Sequence, residues 1–168
     1  MVSLNNLIGS IKNKVETDKD GRIKDESITV KRVLESFSGF TPVSNPKLKD
    51  GFTEGLLQKQ LYTYLETQFV HVNREQGLED INGAKIDFDI GRGKVGIEVK
   101  LARSLFKTSE LQRLVGQMKD YTDDKYNSRN LIILVFGTSE EAKERVYISK
   151  IQERVQDIKA TYAFIELP

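Results

Sequence analysis

The 168-residue sequence has no cysteine and one histidine. The first absence excludes a disulfide framework, a zinc ribbon, a thiol nucleophile and a Cys-ligated cluster. The second excludes any site that takes two histidines from one chain, HExxH zinc centres among them. It also leaves His71 as the sole base for a Ser-His-Asp triad. Charge of one sign is missing too: 26 basic residues stand against 25 acidic ones, a net of +1, so net charge points neither toward nucleic acid nor away from it. Long apolar runs are absent. The longest, Leu131 to Phe136, is far below the roughly 20 residues that span a bilayer. The start, MVSLNNLIGSIKNK, has neither the basic opening nor the cleavage site of a signal peptide, and a cytoplasmic protein is expected. The length suits one soluble domain with its own core and is too short for a protein kinase or a barrel of eight βα units. Chemistry is left to carboxylates, amines, amides and hydroxyls.

No internal repeat or low-complexity segment is visible. Two of the three prolines fall in Gly39 to Gly51, GFTPVSNPKLKDG, which reads as a linker or long loop. Before it, Leu4 to Glu16 and Glu26 to Phe37 are amphipathic helix candidates. After it, Thr53 is a candidate N-cap for a helix carrying Leu56, Leu57, Leu61, Tyr64 and Leu65 on one stripe. From Gln68 the period changes to two. Phe69 to Asn73 reads as a strand, and Lys85 to Ile90 and Val95 to Leu101 as a hairpin about Gly91-Arg92-Gly93-Lys94. A helix from Ser109 to Tyr121 and a strand buried on both faces, Leu131 to Phe136, come next. The remainder reads as strand (Arg145 to Ile148), helix (Ile151 to Lys159) and strand (Thr161 to Leu167). The order implies an α/β domain with a mixed sheet and packed helices.

The hairpin concentrates the chemistry. Alternation sets Ile86, Phe88 and Ile90 on one face of its first strand and Lys85, Asp87 and Asp89 on the other. On the second strand, Val95, Ile97, Val99 and Leu101 oppose Gly96, Glu98 and Lys100. A turn centred on Arg92-Gly93 sets Asp87 opposite Glu98 and Lys85 opposite Lys100. Like charges facing across a ladder are destabilising and call for a cation between them, and Mg²⁺ suits one or two carboxylates. A register slipped by two sets Asp87 opposite Lys100 instead, an ordinary charge ladder on a solvated face.

Asp87 in KIDFD, followed by Glu98-Val99-Lys100 in GIEVKLA, resembles the signature of the PD-(D/E)XK nuclease superfamily. Ile86 stands where the motif name has Pro. The resemblance covers Gly51 to Phe136. It implies a restriction endonuclease-like αβββαβ core within residues 51–137 of a domain at 51–168, preceded by an N-terminal helical extension and linker at 1–50. It further implies a metal-dependent nuclease, with a DNA endonuclease favoured over one for RNA, that hydrolyses phosphodiester bonds by in-line attack of a metal-activated water. Homodimers are common in such nucleases.

Carried over residue by residue, the resemblance makes Asp87, Glu98 and the Val99 carbonyl ligands of Mg²⁺, with Mn²⁺ as a substitute. Lys100 orients the water and offsets phosphate charge. Glu54, in GFTEGLLQKQL, matches a further acid of the first helix and would reach the metal directly or through water; a carboxylate at a helix N-terminus is also favoured by the dipole alone. Gln117, in LVGQMKDY, matches the glutamine of the following helix. It is preferred to Gln112, about 140° away round that helix, because Gly116 beside it would allow close approach. Asp89 is a secondary acid. Between Ile81 and Lys107 six basic residues outnumber three acids, a patch able to contact phosphates. Its members Lys85, Arg92, Lys94, Arg103 and Lys107, with Arg74, are the candidate nucleic-acid contacts. The alternative is an inactive nuclease-fold module that binds nucleic acid or a protein, against which the intact Asp87, Glu98 and Lys100 set argues.

Four other signals are set aside. Gly91 to Gly96 spells GxGxxG but leads into a strand, where the dinucleotide motif opens a helix. His71 is expected to be structural. Tyr121, Tyr126, Tyr147 and Tyr162 are spread out and read as core or sheet edge, and the acids Glu75, Glu79 and Asp80 as part of a solvated turn.

Overall fold

A computed structural model of the chain describes residues 14–77, 85–124 and 126–168. The expected helix at Leu4 to Glu16 falls almost wholly outside them. Glu16 itself is not helical: its N–H bonds the Ser27 hydroxyl, and the adjacent Thr17 bridges to Ile23. The second helix begins later than its periodicity suggests. Asp25–Ser27 forms a 3₁₀ turn, and Thr29 then caps α1 (Val30–Ser36) by accepting the Arg32 N–H. The Gly39 to Gly51 segment contains no α-helix or strand but is held to the fold. Phe40 is buried, and the Gln60 side chain bonds both the N–H and the carbonyl of Val43 at 2.8 Å.

Thr53 caps α2 (Glu54–Gln68) as expected, and Leu57, Leu61 and Leu65 are fully buried on its inner face. The helix runs on to Gln68, and Phe69 closes it with an N–H to the Leu65 carbonyl. The first strand, β1 (Val72–Gly77), therefore starts three residues after the expected Phe69. Then follow β2 (Lys85–Ile90), β3 (Val95–Leu101), a short α3 (Ala102–Leu105), α4 (Thr108–Asp124), β4 (Leu131–Gly137), a short α5 (Ser139–Ala142), α6 (Arg145–Asp157) and β5 (Thr161–Glu166). The sheet order is β1-β2-β3-β4-β5; β1 to β3 are antiparallel neighbours, and β3, β4 and β5 run parallel. No helix among the described residues is long and apolar enough to cross a membrane.

One expected strand is a helix. Arg145 to Ile148 belongs to α6, where Ile148, Ile151 and Val155 fall on one face against the core while Val146 is exposed. Four residues are too few to separate a period of two from one of 3.6.

Each side of the sheet carries a hydrophobic core. Toward α1 and α2, Val95, Ile97, Val99 and Leu101 of β3 pack with Leu57, Leu61, Val33 and Phe37; the segment before residue 51 thus shares the core of α2. Toward α4 and α6, Leu131, Ile133 and Val135 pack with Leu114, Met118, Tyr121 and Ile151. Strand β4 divides its side chains between the two, so all seven of its residues are buried.

Strand β2 departs from the expected alternation. Phe88 and Ile90 enter the α2-side core, but Ile86 lies in the other. The β2–β3 ladder has the register expected for a turn at Arg92-Gly93 (Phe88↔Ile97, Asp89↔Gly96, Ile90↔Val95) and ends there. Beyond Phe88 the strands part, which frees Ile86 to turn toward α4. It then covers Gly96, where an added Cβ would collide with Ile86 and come within 2.9 Å of Leu131 and 3.3 Å of Tyr126. Gly96→Ala should therefore overpack this junction and cost about 1–3 kcal/mol, read as a lowered urea midpoint. An unchanged midpoint would show that the junction yields to a methyl group.

Candidate active site

The parting of β2 and β3 builds the site. Where the ladder stops, the Asp87 carboxylate takes the place of a main-chain acceptor and receives the Val99 N–H at 2.7 Å. Glu98 lies beside it on β3 and is only 3% exposed. One Glu98 oxygen is 3.1 Å from the Lys100 ammonium; the other, Oε2, is buried with no hydrogen-bond partner among the described residues. Burial and then the charge of Asp87 push the Glu98 carboxyl up to about 7, with Lys100 pulling the other way. Burial alone would lower the Lys100 pKa, but the carboxylates of Glu98, Glu54 and Asp87 outweigh it and raise it, so the side chain is an ammonium at neutral pH.

Lys100 opens into a cleft of 530 Å³ between the N-terminus of α2 and the α3–α4 wall, with Glu54, Arg103, Lys107, Arg113 and Gln117 around it. Gln117 is in this cleft, whereas Gln112 lines a separate groove beside α6. The reason expected for that choice does not hold: a Cβ on Gly116 would have nothing within 4 Å, so no element approaches closely there. The phase of the helix decides it. Glu54 caps the edge of the site, accepting the Leu101 N–H at 3.3 Å.

The candidate phosphate contacts divide. Lys107 lines the cleft; Arg103 does too, but its guanidinium also holds the loop before α2, through Asp50 at 2.9 Å and the Phe52 carbonyl at 3.0 Å. Arg92 and Lys94 lie at the hairpin tip, the opposite end of β3 from Lys100. There Arg92 bonds His71 Nε2 at 2.9 Å, and His71 Nδ1 bonds Asp25, which gives His71 a structural place. Arg74 is exposed on edge strand β1, and Lys85 is exposed at the start of β2. The patch counted along the sequence is thus spread over both ends of the hairpin. Asp89 is a turn anchor. It is 1% exposed and accepts the Gly93 N–H at 2.9 Å and the Tyr126 hydroxyl, which holds a turn with three successive positive φ angles (Gly91, Arg92, Gly93).

Arg113 belongs to the site although no motif marks it, and Tyr121, expected as a core residue, is buried as expected but also touches the site. Arg113, Gln117 and Tyr121 follow one another at intervals of four on α4, so the phase that selects Gln117 also selects its neighbours. Arg113 lines the cleft; Tyr121 is buried, with its hydroxyl against Glu98 and donated to the Lys85 carbonyl.

The donor set is hard oxygen: two adjacent carboxylates, one with a buried unpartnered oxygen. Among the described residues no three His, Cys, Asp or Glu side chains converge. Adjacent carboxylates of this kind fit a hard cation such as Mg²⁺, which commonly takes one or two carboxylates and keeps several waters.

A family model for the restriction endonucleases described as REase_DpnII-MboI matches residues 53–165. The chain belongs to the DpnII-MboI restriction endonuclease family. This family is of the PD-(D/E)XK type, and membership supports a DNA endonuclease in general. No curated protein and no solved structure gave a significant match. The DpnII-MboI match starts at the α2 cap and ends within β5, so it takes in α6 and β5 as well as the hairpin. The resemblance read from the motif stopped at Phe136.

The Glu98 shift has a consequence for stability. Below its ordinary value of 4.5 this carboxyl is protonated in both folded and unfolded chains; between 4.5 and about 7 only the folded protein keeps the proton. The stability it contributes is therefore complete in acid and drains away as pH rises through 7. In chelator, wild type should lose on the order of 2–3 kcal/mol relative to Glu98→Gln between pH 4.5 and 8, measured by urea unfolding. Parallel profiles for the two proteins would mean that Glu98 is not destabilised by its surroundings.

Proposed function

We propose that the chain is a Mg²⁺-dependent DNA endonuclease whose catalytic residues are Asp87, Glu98, Lys100 and Gln117, with Mn²⁺ as a working substitute. Family membership supports the DNA endonuclease; the buried Glu98 carboxylate, with one oxygen on Lys100, the other unpartnered and Asp87 alongside, supports this site. Two adjacent carboxylates out of water are costly unless a cation joins them. Asp87, Glu98 and the main-chain carbonyl of Val99 would hold it. When bound, Mg²⁺ supplies a Lewis acid for the phosphate and makes a water nucleophilic at neutral pH.

The chain's own groups supply position and charge. The Asp87 carboxylate is oriented by the Val99 N–H and Glu98 by the Lys100 ammonium. Lys100 directs the attacking water into line with the scissile bond and offsets the negative charge that grows on the phosphate oxygens. Gln117 holds the water or a phosphate oxygen from the α4 wall. Glu54, fixed on the Leu101 N–H, adds negative charge at the opposite rim and keeps Lys100 protonated. Lys107 and Arg113 take the flanking phosphates, while Arg74, Lys85, Arg92 and Lys94 lie further along the surface available to a duplex. One chain carries one such centre, so cutting both strands calls for a homodimer or two successive encounters.

The test is cleavage of supercoiled plasmid, short duplex DNA, single-stranded DNA and RNA in Mg²⁺, in Mn²⁺ and in chelator. Duplex DNA should be cut with either metal and remain intact in chelator. Lys100→Ala should lower the rate by roughly 10²–10⁴-fold, the range expected when a group acting on the transition state is removed. Intact DNA under every condition with wild type would sink the endonuclease reading. Undiminished cutting by Lys100→Ala would move the centre elsewhere on the protein.

A further inference from the structure

Two buried hydroxyls near the site have partners that the proposed chemistry does not use. Tyr121, in the last turns of α4, is fully buried and donates its hydroxyl proton to the main-chain carbonyl of Lys85. Tyr126, just beyond the helix and 2% exposed, donates to the Asp89 carboxylate. The two tyrosines are themselves tied, because the Tyr126 N–H closes on the Tyr121 carbonyl at 3.0 Å. Their targets on β2 lie two residues before and two residues after Asp87.

That spacing falls where β2 is held from one edge alone. Strand β1 pairs with it through Phe88, Ile86 and Lys85, but its ladder with β3 covers only Phe88, Asp89 and Ile90, so nothing in that ladder fixes the strand at or before Asp87 on the Glu98 side. The Tyr121 bond adds a restraint ahead of Asp87, and the Tyr126 bond anchors the strand beyond it through Asp89 and the turn. Tyr121 reaches across from the helix that carries Gln117, and Tyr126 from just beyond its end. We propose that Tyr121 and Tyr126 form a positioning brace that holds β2 on either side of Asp87 and so fixes the direction of its carboxylate beside Glu98. The proposal rests on the assignment of Asp87 and Glu98 as the metal-holding pair. Tyr121 adds a second contact there, because its hydroxyl lies against Glu98 as well as donating to the Lys85 carbonyl.

The experiment compares wild type with Tyr121→Phe, Tyr126→Phe and Tyr162→Phe. The last is a matched control, because the Tyr162 hydroxyl is buried without a partner among the described residues and its loss should be silent. Phenylalanine preserves the ring packing in each case. Mn²⁺ binding is measured without DNA by electron paramagnetic resonance, and kcat and KM on duplex DNA and thermal midpoints are recorded alongside. Residues that orient metal ligands typically govern about 10–100-fold of affinity or activity. Tyr121→Phe should weaken Mn²⁺ binding and lower kcat within that range while KM for DNA stays near wild type. Tyr126→Phe should move in the same direction, and Tyr162→Phe should match wild type. Mn²⁺ binding and kcat unchanged in Tyr121→Phe would overturn the brace while leaving the endonuclease in place. So would a fall in activity accounted for by the unfolded fraction alone. Wild type that neither binds Mn²⁺ nor cuts DNA would overturn the site assignment, and the brace with it.

Discussion

The bond from the Val99 N–H to the Asp87 carboxylate is the constraint on which the rest of the structure turns. A main-chain N–H in the middle of a buried strand must have an acceptor. Here a side chain supplies it, and the neighbouring carbonyl of β2 is released from the ladder. The two strands can then separate without leaving an unsatisfied donor. Ile86 crosses to the α4-side core, and the Asp87 carboxylate is held against the strand that carries Glu98 and Lys100. An unbroken hairpin would have made the same residues an ordinary ladder with two acids facing each other.

The two ends of the hairpin have opposite characters as a result. At the turn, polar groups are committed: Asp89 to Gly93 and Tyr126, Arg92 to His71, and His71 to Asp25. At the far end, Glu98 keeps one oxygen without a partner, and Lys100 faces a cleft flanked by Lys107 and Arg113. Rigidity at one end and an electrostatically unsettled pair at the other suit a scaffold that must hold two like charges until something positive arrives. The near-zero net charge of the chain conceals this separation, because cations that are close in sequence are divided between the two ends.

Much of this was legible in the sequence where one element alone decides the outcome. The Thr53 cap, the leucine stripe of α2, the doubly buried β4 and the hairpin register all follow from local chemistry and periodicity, and the structure has them. The motif residues Asp87, Glu98 and Lys100 could be picked out because alternation along β3 puts Glu98 and Lys100 on one face. Arg145 to Ile148 failed because four residues fit either period, and the core under α6 chose the helical one. Gln117 was selected for the wrong reason. The core place of Tyr121 was legible, but its partners, Glu98 and the Lys85 carbonyl, are far away in sequence and no local pattern announces them.

The sequence by itself determined the order of elements from Thr53 to Phe136, the α/β class, the chemical inventory of hard-oxygen ligands and a lysine, and which strand carries them. These depend on side-chain period, capping and composition, which are properties of short stretches of chain. Only the tertiary structure decided where the hairpin stops being a hairpin, which basic residues share the cleft, and that Asp89 serves the turn. Those outcomes depend on burial and on which main-chain groups find partners. Both are settled only when α2 and α4 close on the two faces of the sheet and remove water from Glu98.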